Sequence, residues 1–161
     1  MIGDVMDYCK KHFIKNEISG DFVFDATAKT ITGDFDTDDY VIGGYIYVLG
    51  SILNDTAYKL TAVSSTALTV DGTLYDENST DKHTVKIFGL KPPRAFLSLA
   101  EDIKSWVDKY GAGAAGIASE KIDDYSVAFG AGVQNGGGWQ AAFAGRLGEY
   151  RSLYNDLPVV Q

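Results

Sequence analysis

Residues 45–70 read YIYVLGSILNDTAYKLTAVSSTALTV, and this stretch decides the class of fold. Tyr45 to Leu49, Tyr58 to Val63 and Ala67 to Val70 are short runs rich in Tyr, Val, Ile and Thr. Such residues fit a pleated, half-buried surface, and Gly, Asp and Asn between the runs supply turns. Working outward, Phe22 to Phe24, Lys29 to Thr32 and Thr84 to Phe88 have the same texture, several runs alternating apolar with polar residues. The expectation is a small antiparallel β-barrel or sandwich over residues 21–90.

The flanks follow a different period. Ile2, Val5, Met6, Cys9 and Phe13 recur at three- and four-residue spacing, which predicts a short amphipathic helix. Asp4 at its start and Lys10, Lys11 and His12 at its end suit the helix dipole, the role expected for His12. After Pro92-Pro93, the residues Phe96, Leu99, Ile103, Trp106, Val107 and Tyr110 predict a helix from Pro92 to Lys109 that stops in the glycine-rich 111–116 loop. An extended stretch, Ile117 to Phe129, and a second glycine-rich loop, Gly130 to Gly138, lead to a last helix over Trp139 to Leu153. The expected fold is therefore α+β. Residues 1–20 and 91–161 form a small helical bundle, an N-terminal helix plus two C-terminal ones, interrupted by a β-insertion over 21–90.

Composition narrows the chemistry. With 45% hydrophobic residues over 161 positions the chain buries a real core. A formal charge of -8, from 14 basic and 22 acidic residues, argues against a general nucleic-acid-binding face, although an acidic channel wall would let DNA slide without sticking. Cys9 is the only cysteine, so an intramolecular disulfide framework and a cysteine zinc site are excluded. The start lacks the apolar run of a signal peptide, and no apolar run reaches membrane-spanning length.

Apparent motifs lose force in context. Gly111-x-Gly113-x-x-Gly116 matches the dinucleotide fingerprint, but a helix enters it where a strand should, so no cofactor is expected. Asp34-x-Asp36-x-Asp38 starts like a calcium loop, yet Asp39 stands where glycine is required and Tyr45 where a bidentate glutamate belongs. A solvated acidic loop is the plainer reading, and no metal ligand is assigned. Asn54-Asp55-Thr56 and Asn78-Ser79-Thr80 read as turn chemistry. His12 and His83 are the only histidines, neither placed beside a nucleophile, and no catalytic residue is assigned. Tyr40, Tyr45, Tyr47, Tyr58 and Tyr75 could build a sugar or protein contact face, or a barrel core with its strand surface.

The segment IASEKIDDYSVAF, Ile117 to Phe129, resembles the Ser-Glu-Lys/Arg-x-Gly-Asp-Tyr-Ser-Val stretch that links two helices in tailed-phage head-tail connector (adaptor, head-completion) proteins. Tyr8-Cys9 resembles a Tyr-Cys pair of their first helix, and Leu147, Tyr150 and Arg151 a Leu-x-x-Tyr-Arg ending of their last. The chain departs from the pattern at Asp123, where glycine is frequent, in its glycine-rich 130–138 loop, and in the β-insertion.

The resemblance implies a structural bacteriophage protein and no enzyme. It implies a ring, dodecameric in the virion neck, seated under the portal, bridging to neck or tail-completion proteins and extending the channel through which packaged DNA passes without sequence-specific binding. Assembly would take place in the host cytoplasm, with no membrane involved. The candidate subunit or portal interface is then Ser119, Glu120 and Lys121, which offer a hydroxyl and both charges, followed by Asp124, Tyr125, Val127 and Phe129. A buried linker inside the subunit is the alternative for this segment. Tyr150, Arg151, Tyr154, Val159 and Val160 extend the candidate interface into a C-terminal tail, expected as an arm that orders on docking. Other expectations for the whole are a tail-completion or minor virion protein, or a carbohydrate-binding module in the β-region.

Overall fold

The computed structural model describes residues 1–79, 84–111, 119–122, 125–128 and 138–158. It is an α+β protein that divides into two compact units, Met1–Lys11 with Pro93–Tyr154, and His12–Pro92 with Asn155–Gln161.

The second unit is one antiparallel sheet. Its strands are β1 (Ile14–Gly20), β2 (Val23–Asp25), β3 (Thr30–Thr32), β4 (Tyr45–Leu49), β5 (Ala57–Val63), β6 (Ala67–Asp71), β7 (Glu77–Asn78) and β8 (Val85–Leu90). They lie in the order β1-β8-β4-β5-β6-β3-β2-β7. The end strands β1 and β7 do not pair, so the expected barrel is not closed. All six expected strands form within a residue or two of their expected ends, and Tyr45–Leu49 matches at both.

Two strands went unread. Ile14–Gly20, left by its sequence in the helical piece, pairs along β8 from Ile14↔Leu90 to Gly20↔Val85. Glu77–Asn78 pairs with β2. Both are edges, where polar side chains are tolerated and the apolar pattern is weak.

One buried cluster holds the sheet together. It takes Phe24 from β2, Ile31 from β3, Ile46 and Val48 from β4, Leu60 from β5, Leu68 and Val70 from β6, and Val85 and Ile87 from β8. Fully burying a side chain of this size contributes about 1.5–3 kcal/mol, so the cluster is the main driving force for this unit.

The 33–40 segment crosses one side of that core. Gly33 and Phe35 donate their backbone N–H groups to Thr66 O (3.1 Å) and Ser65 O (2.8 Å). At the far end Lys15 Nζ of β1 donates to Asp39 O at 3.1 Å. Between these anchors Phe35 stacks on Phe22 and meets Tyr40 edge-on. A Cβ on Gly33 would stand 2.6 Å from the Phe22 ring, so only glycine permits this approach.

The first unit contains α1 (Ile2–Cys9), α2 (Arg94–Tyr110), α3 (Gly138–Ala142), α4 (Ala144–Gly148) and a hairpin of β9 (Ser119–Ile122) with β10 (Tyr125–Ala128). α1 ends four residues before Phe13, because Lys10 turns left-handed (φ 54°) and Lys11 donates its N–H back to Met6 O. Pro93 opens α2 by accepting the Leu97 N–H, and the helix buries Phe96, Leu99, Ile103 and Trp106 as its spacing predicts, with Ala100 added and Val107 and Tyr110 only half-buried.

The last helix differs from expectation. It breaks at Phe143 and ends at Gly148 instead of running from Trp139 to Leu153. Gly145 and Gly148 each cost about 1 kcal/mol of helix propensity, which the helical spacing of Ala142, Phe143, Leu147, Tyr150 and Tyr154 does not reveal. Trp139 packs edge-on to Tyr8 (5.4 Å), Phe143 to Trp106 (6.4 Å) and Tyr150 to Phe96 (5.1 Å). Exposed Arg146 pairs with Asp102 at 2.7 Å.

Candidate interaction surfaces

The segment carrying the connector resemblance forms the β9–β10 hairpin. Its register sets Ala128 opposite Ser119, Val127 opposite Glu120, Ser126 opposite Lys121 and Tyr125 opposite Ile122. Ser119, Glu120, Lys121, Tyr125 and Val127 thus share one two-stranded ladder, where the sequence suggested a single extended stretch. Asp124, Phe129, Val159 and Val160 lie outside the described residues.

The other candidates separate by role. Tyr150 packs on Phe96, and the Arg151 guanidinium lies over the Tyr8 ring at 5.2 Å. Ser152 donates its backbone N–H to Cys9 O at 2.9 Å. These contacts tie the chain after α4 to α1, and Cys9 is buried beneath them. Burial raises the pKa of its thiol, with Arg151 pulling the other way. Leu153 and Tyr154 then point outward, 88% and 82% exposed.

Beyond Tyr154 the chain belongs to the β-unit. Asp156 accepts the His12 backbone N–H on both carboxylate oxygens at 2.9 Å, and its Oδ1 lies 2.6 Å from His12 Nδ1. Leu157 is buried. Two expectations change here. His12 lies outside α1 and does not serve its dipole: it is a fully buried member of the β-unit, edge-on to Tyr47 at 4.9 Å. Residues 155–158 of the tail are held in the β-unit and are not a free arm.

Tyrosines in the β-unit form core more than face. Tyr40, Tyr47 and Tyr58 are buried, Tyr45 is half-buried and Tyr75 is exposed. Burial pushes the Tyr40 and Tyr58 hydroxyls up to about 12, with Asp39 adding to the first and Asp55, Tyr75 and Glu77 to the second. The Asp34 to Asp39 carboxylates are exposed, and Asp36 Oδ1 accepts the Asp38 N–H within its own turn. Among the described residues no group of His, Cys, Asp or Glu side chains is arranged to hold a metal ion.

A feature that sequence reasoning missed lies at the β4–β5 turn. The half-buried Glu77 carboxylate accepts from Ser51 Oγ (2.5 Å), the Ile52 N–H (2.9 Å), the Leu53 N–H (3.1 Å) and Asn54 Nδ2 (3.0 Å). Buried Asn54 in turn receives the Tyr75 N–H on Oδ1 and donates Nδ2 to Tyr75 O. This network fixes the turn while Ile52, Leu53 and Tyr75 stand out from it, 74%, 54% and 55% exposed. The readable signal was Ile52-Leu53 between Ser51 and Asn54, an apolar pair where a turn is normally polar.

The chain thus presents a rigid apolar tip on its β-unit and an apolar ridge, Leu153-Tyr154, on its helical unit; no family model, curated protein or solved structure matches it.

Proposed function

We propose that this chain is a structural virion protein, a head-tail connector subunit that works as a ring bound to the portal of a tailed phage. The observation that supports the reading is the order α2, β9–β10 hairpin, α3 and α4, with the Ser-Glu-Lys and Tyr-Ser-Val residues on the hairpin strands between helices, as the resemblance requires. Its task is geometric: identical subunits repeat one head-to-tail contact around a closed ring, extend the DNA channel and offer a platform to neck or tail-completion proteins. No catalysis and no cofactor enter this function. Net charge of -8 suits a channel along which DNA slides.

In this reading α1 and the C-terminal helices form the connector bundle, and the sheet of the β-unit folds over its own core as a sandwich. The Ser119 to Val127 ladder and the Tyr150 to Tyr154 segment belong to the portal and subunit contacts. The protein resides in the virion neck after assembly in the host cytoplasm.

Light scattering on the full chain, alone and mixed with the portal protein of the same phage, tests this. The expected result is a portal complex whose added mass is a ring of subunits. Association with tail proteins and not with portal would instead mark a tail-completion protein.

A further inference from the structure

Strand alternation makes the sheet apolar on both faces at β4 and β8. Ile46, Val48, Val85 and Ile87 enter the buried cluster, so Tyr47, Phe88 and Leu90, at the alternate positions, project from the opposite face. Tyr47 and Phe88 stand directly across the ladder from each other, and all three side chains are buried. Tyr45 and Leu49 continue this outer face and are half-buried. The His12 ring closes on it, edge-on to Tyr47 at 4.9 Å.

His12 also gives the outer face a reader of carboxylates. Its backbone N–H reaches both oxygens of Asp156 at 2.9 Å while its ring Nδ1 lies 2.6 Å from Oδ1, so one fully buried residue brings two nitrogens to one carboxylate. The backbone is bent on either side of it. Lys10 and Phe13 are non-glycine residues in the left-handed conformation, φ 54° and 57°, and Phe13 O is held by the Lys91 N–H at 2.9 Å. Strained backbone of this kind gathers at ligand clamps, and hydrogen bonds to an ionised acceptor are the strong ones.

The segment that fills this clamp is lightly held. Of residues 153–158 only Leu157 is buried. Asn155 Oδ1 accepts the Leu157 N–H at 3.2 Å, so Asp156 and Leu157 are presented by a short turn of their own. A segment with a single apolar anchor opens at lower free energy than the strands beneath it.

We propose that His12 and the outer face of β4 and β8 form a peptide-binding site that reads a carboxylate followed by a branched aliphatic side chain, and that residues 155–158 are the occupant the chain itself supplies. A partner segment of the same Asp-Leu chemistry enters when the tail leaves, with its carboxylate on His12 and its aliphatic side chain in the place of Leu157. The tail is then a competing internal ligand, and it lowers the apparent affinity of the site by the fraction of time the site stands open. This inference concerns the β-unit alone and does not rest on the connector reading or on a portal.

Hydrogen exchange on the full-length chain in increasing urea tests the opening. The His12 and Leu157 amides are expected to exchange together through an opening with little urea dependence. The Val48 and Val70 amides, bonded to Thr56 O and Lys29 O, should exchange only with global unfolding. Occupancy is tested with a synthetic peptide of residues 154–161, YNDLPVVQ, added to the Leu157→Ala chain, whose own tail is weakened. At ten times its Kd the peptide should slow His12 amide exchange about tenfold, while the peptide carrying Asp156→Asn should leave it unchanged. Asp156→Asn in the chain gives a second weakened tail should Leu157→Ala fail to fold. His12 exchanging only together with Val48 and Val70 would overturn the proposal. So would a peptide that protects His12 in neither variant, or equal protection by the Asp156→Asn peptide. Neither arm contains a portal protein, so failure here leaves the connector reading standing, and failure of that reading leaves this site standing.

Discussion

Asp156 and His12, 144 residues apart in sequence, are joined at three points: both carboxylate oxygens receive the His12 backbone N–H at 2.9 Å, and Oδ1 meets the ring Nδ1 at 2.6 Å. Residues 155–158 are thereby held in the β-unit through a pair in which the His12 side chain is fully buried and the Asp156 side chain partly exposed.

Asp156→Ala is expected to destabilise the protein by about 1–3 kcal/mol, because it removes the carboxylate that both the His12 backbone N–H and its buried ring Nδ1 meet. Urea denaturation measures the loss, and the Leu157 amide should exchange with solvent faster in the variant. An unchanged denaturation midpoint would mean that water replaces the carboxylate without cost.

Gly89 and Asn16 face each other across the β1–β8 ladder, where a Cβ on Gly89 would stand 1.8 Å from Asn16 Oδ1. Gly89→Ala should therefore cost about 1–3 kcal/mol as an overpacking change, by pushing the edge strand outward. Combining it with Asn16→Ala should recover part of that loss. Thermal unfolding of the two single variants and the double variant closes the cycle, and strict additivity would count against the clash.

Glu77→Ala removes the acceptor shared by Ser51, Ile52, Leu53 and Asn54. Losing this shared acceptor should cost about 2–4 kcal/mol, with hydrogen exchange accelerating first at the Ile52 and Leu53 amides. If exchange at those two amides stays at its wild-type rate, the network does not hold the tip.

Alkaline stability follows from Tyr40 and Tyr58. Each hydroxyl has a pKa of about 12 when folded against 10.0 as a free side chain. The folded state then holds the proton more tightly than the unfolded one, so stability is level below pH 10 and falls as pH rises from about 10 to about 12. The loss is on the order of 2 kcal/mol per tyrosine at the upper end. Urea midpoints between pH 9 and pH 11.5 should show this fall, and Tyr58→Phe should make it shallower. An ultraviolet titration should find Tyr40 and Tyr58 ionising late.

Local pattern was enough for the α+β class, for Tyr45–Leu49 to the residue and for α2 to within two residues at its start, because strand alternation and helical spacing are properties of a few consecutive side chains. It also marked Cys9, Phe96, Leu99, Ile103 and Trp106 as core, since burial follows the apolar face of a helix. The polar edge strand Ile14–Gly20 was illegible because its place is set by pairing with β8, not by its own apolar content. The break at Phe143 was hidden for a related reason: apolar spacing continues through residues whose glycines weaken the helix. Of the candidate interface, an extended segment between helices was legible, while its folding into a hairpin, the inward turn of Tyr150 and the outward turn of Tyr154 were not.

What the chain's sequence determined by itself is therefore the set of elements and their apolar faces, which depend on neighbours within a turn or a pleat. Tertiary structure alone decided that His12 meets Asp156, that Glu77 grips the 51–54 turn, and that Ile52, Leu53, Leu153 and Tyr154 are left in water. Each of these depends on residues brought together from distant parts of the chain, and a polar side chain carries no periodic mark of the partner that folding will bring to it.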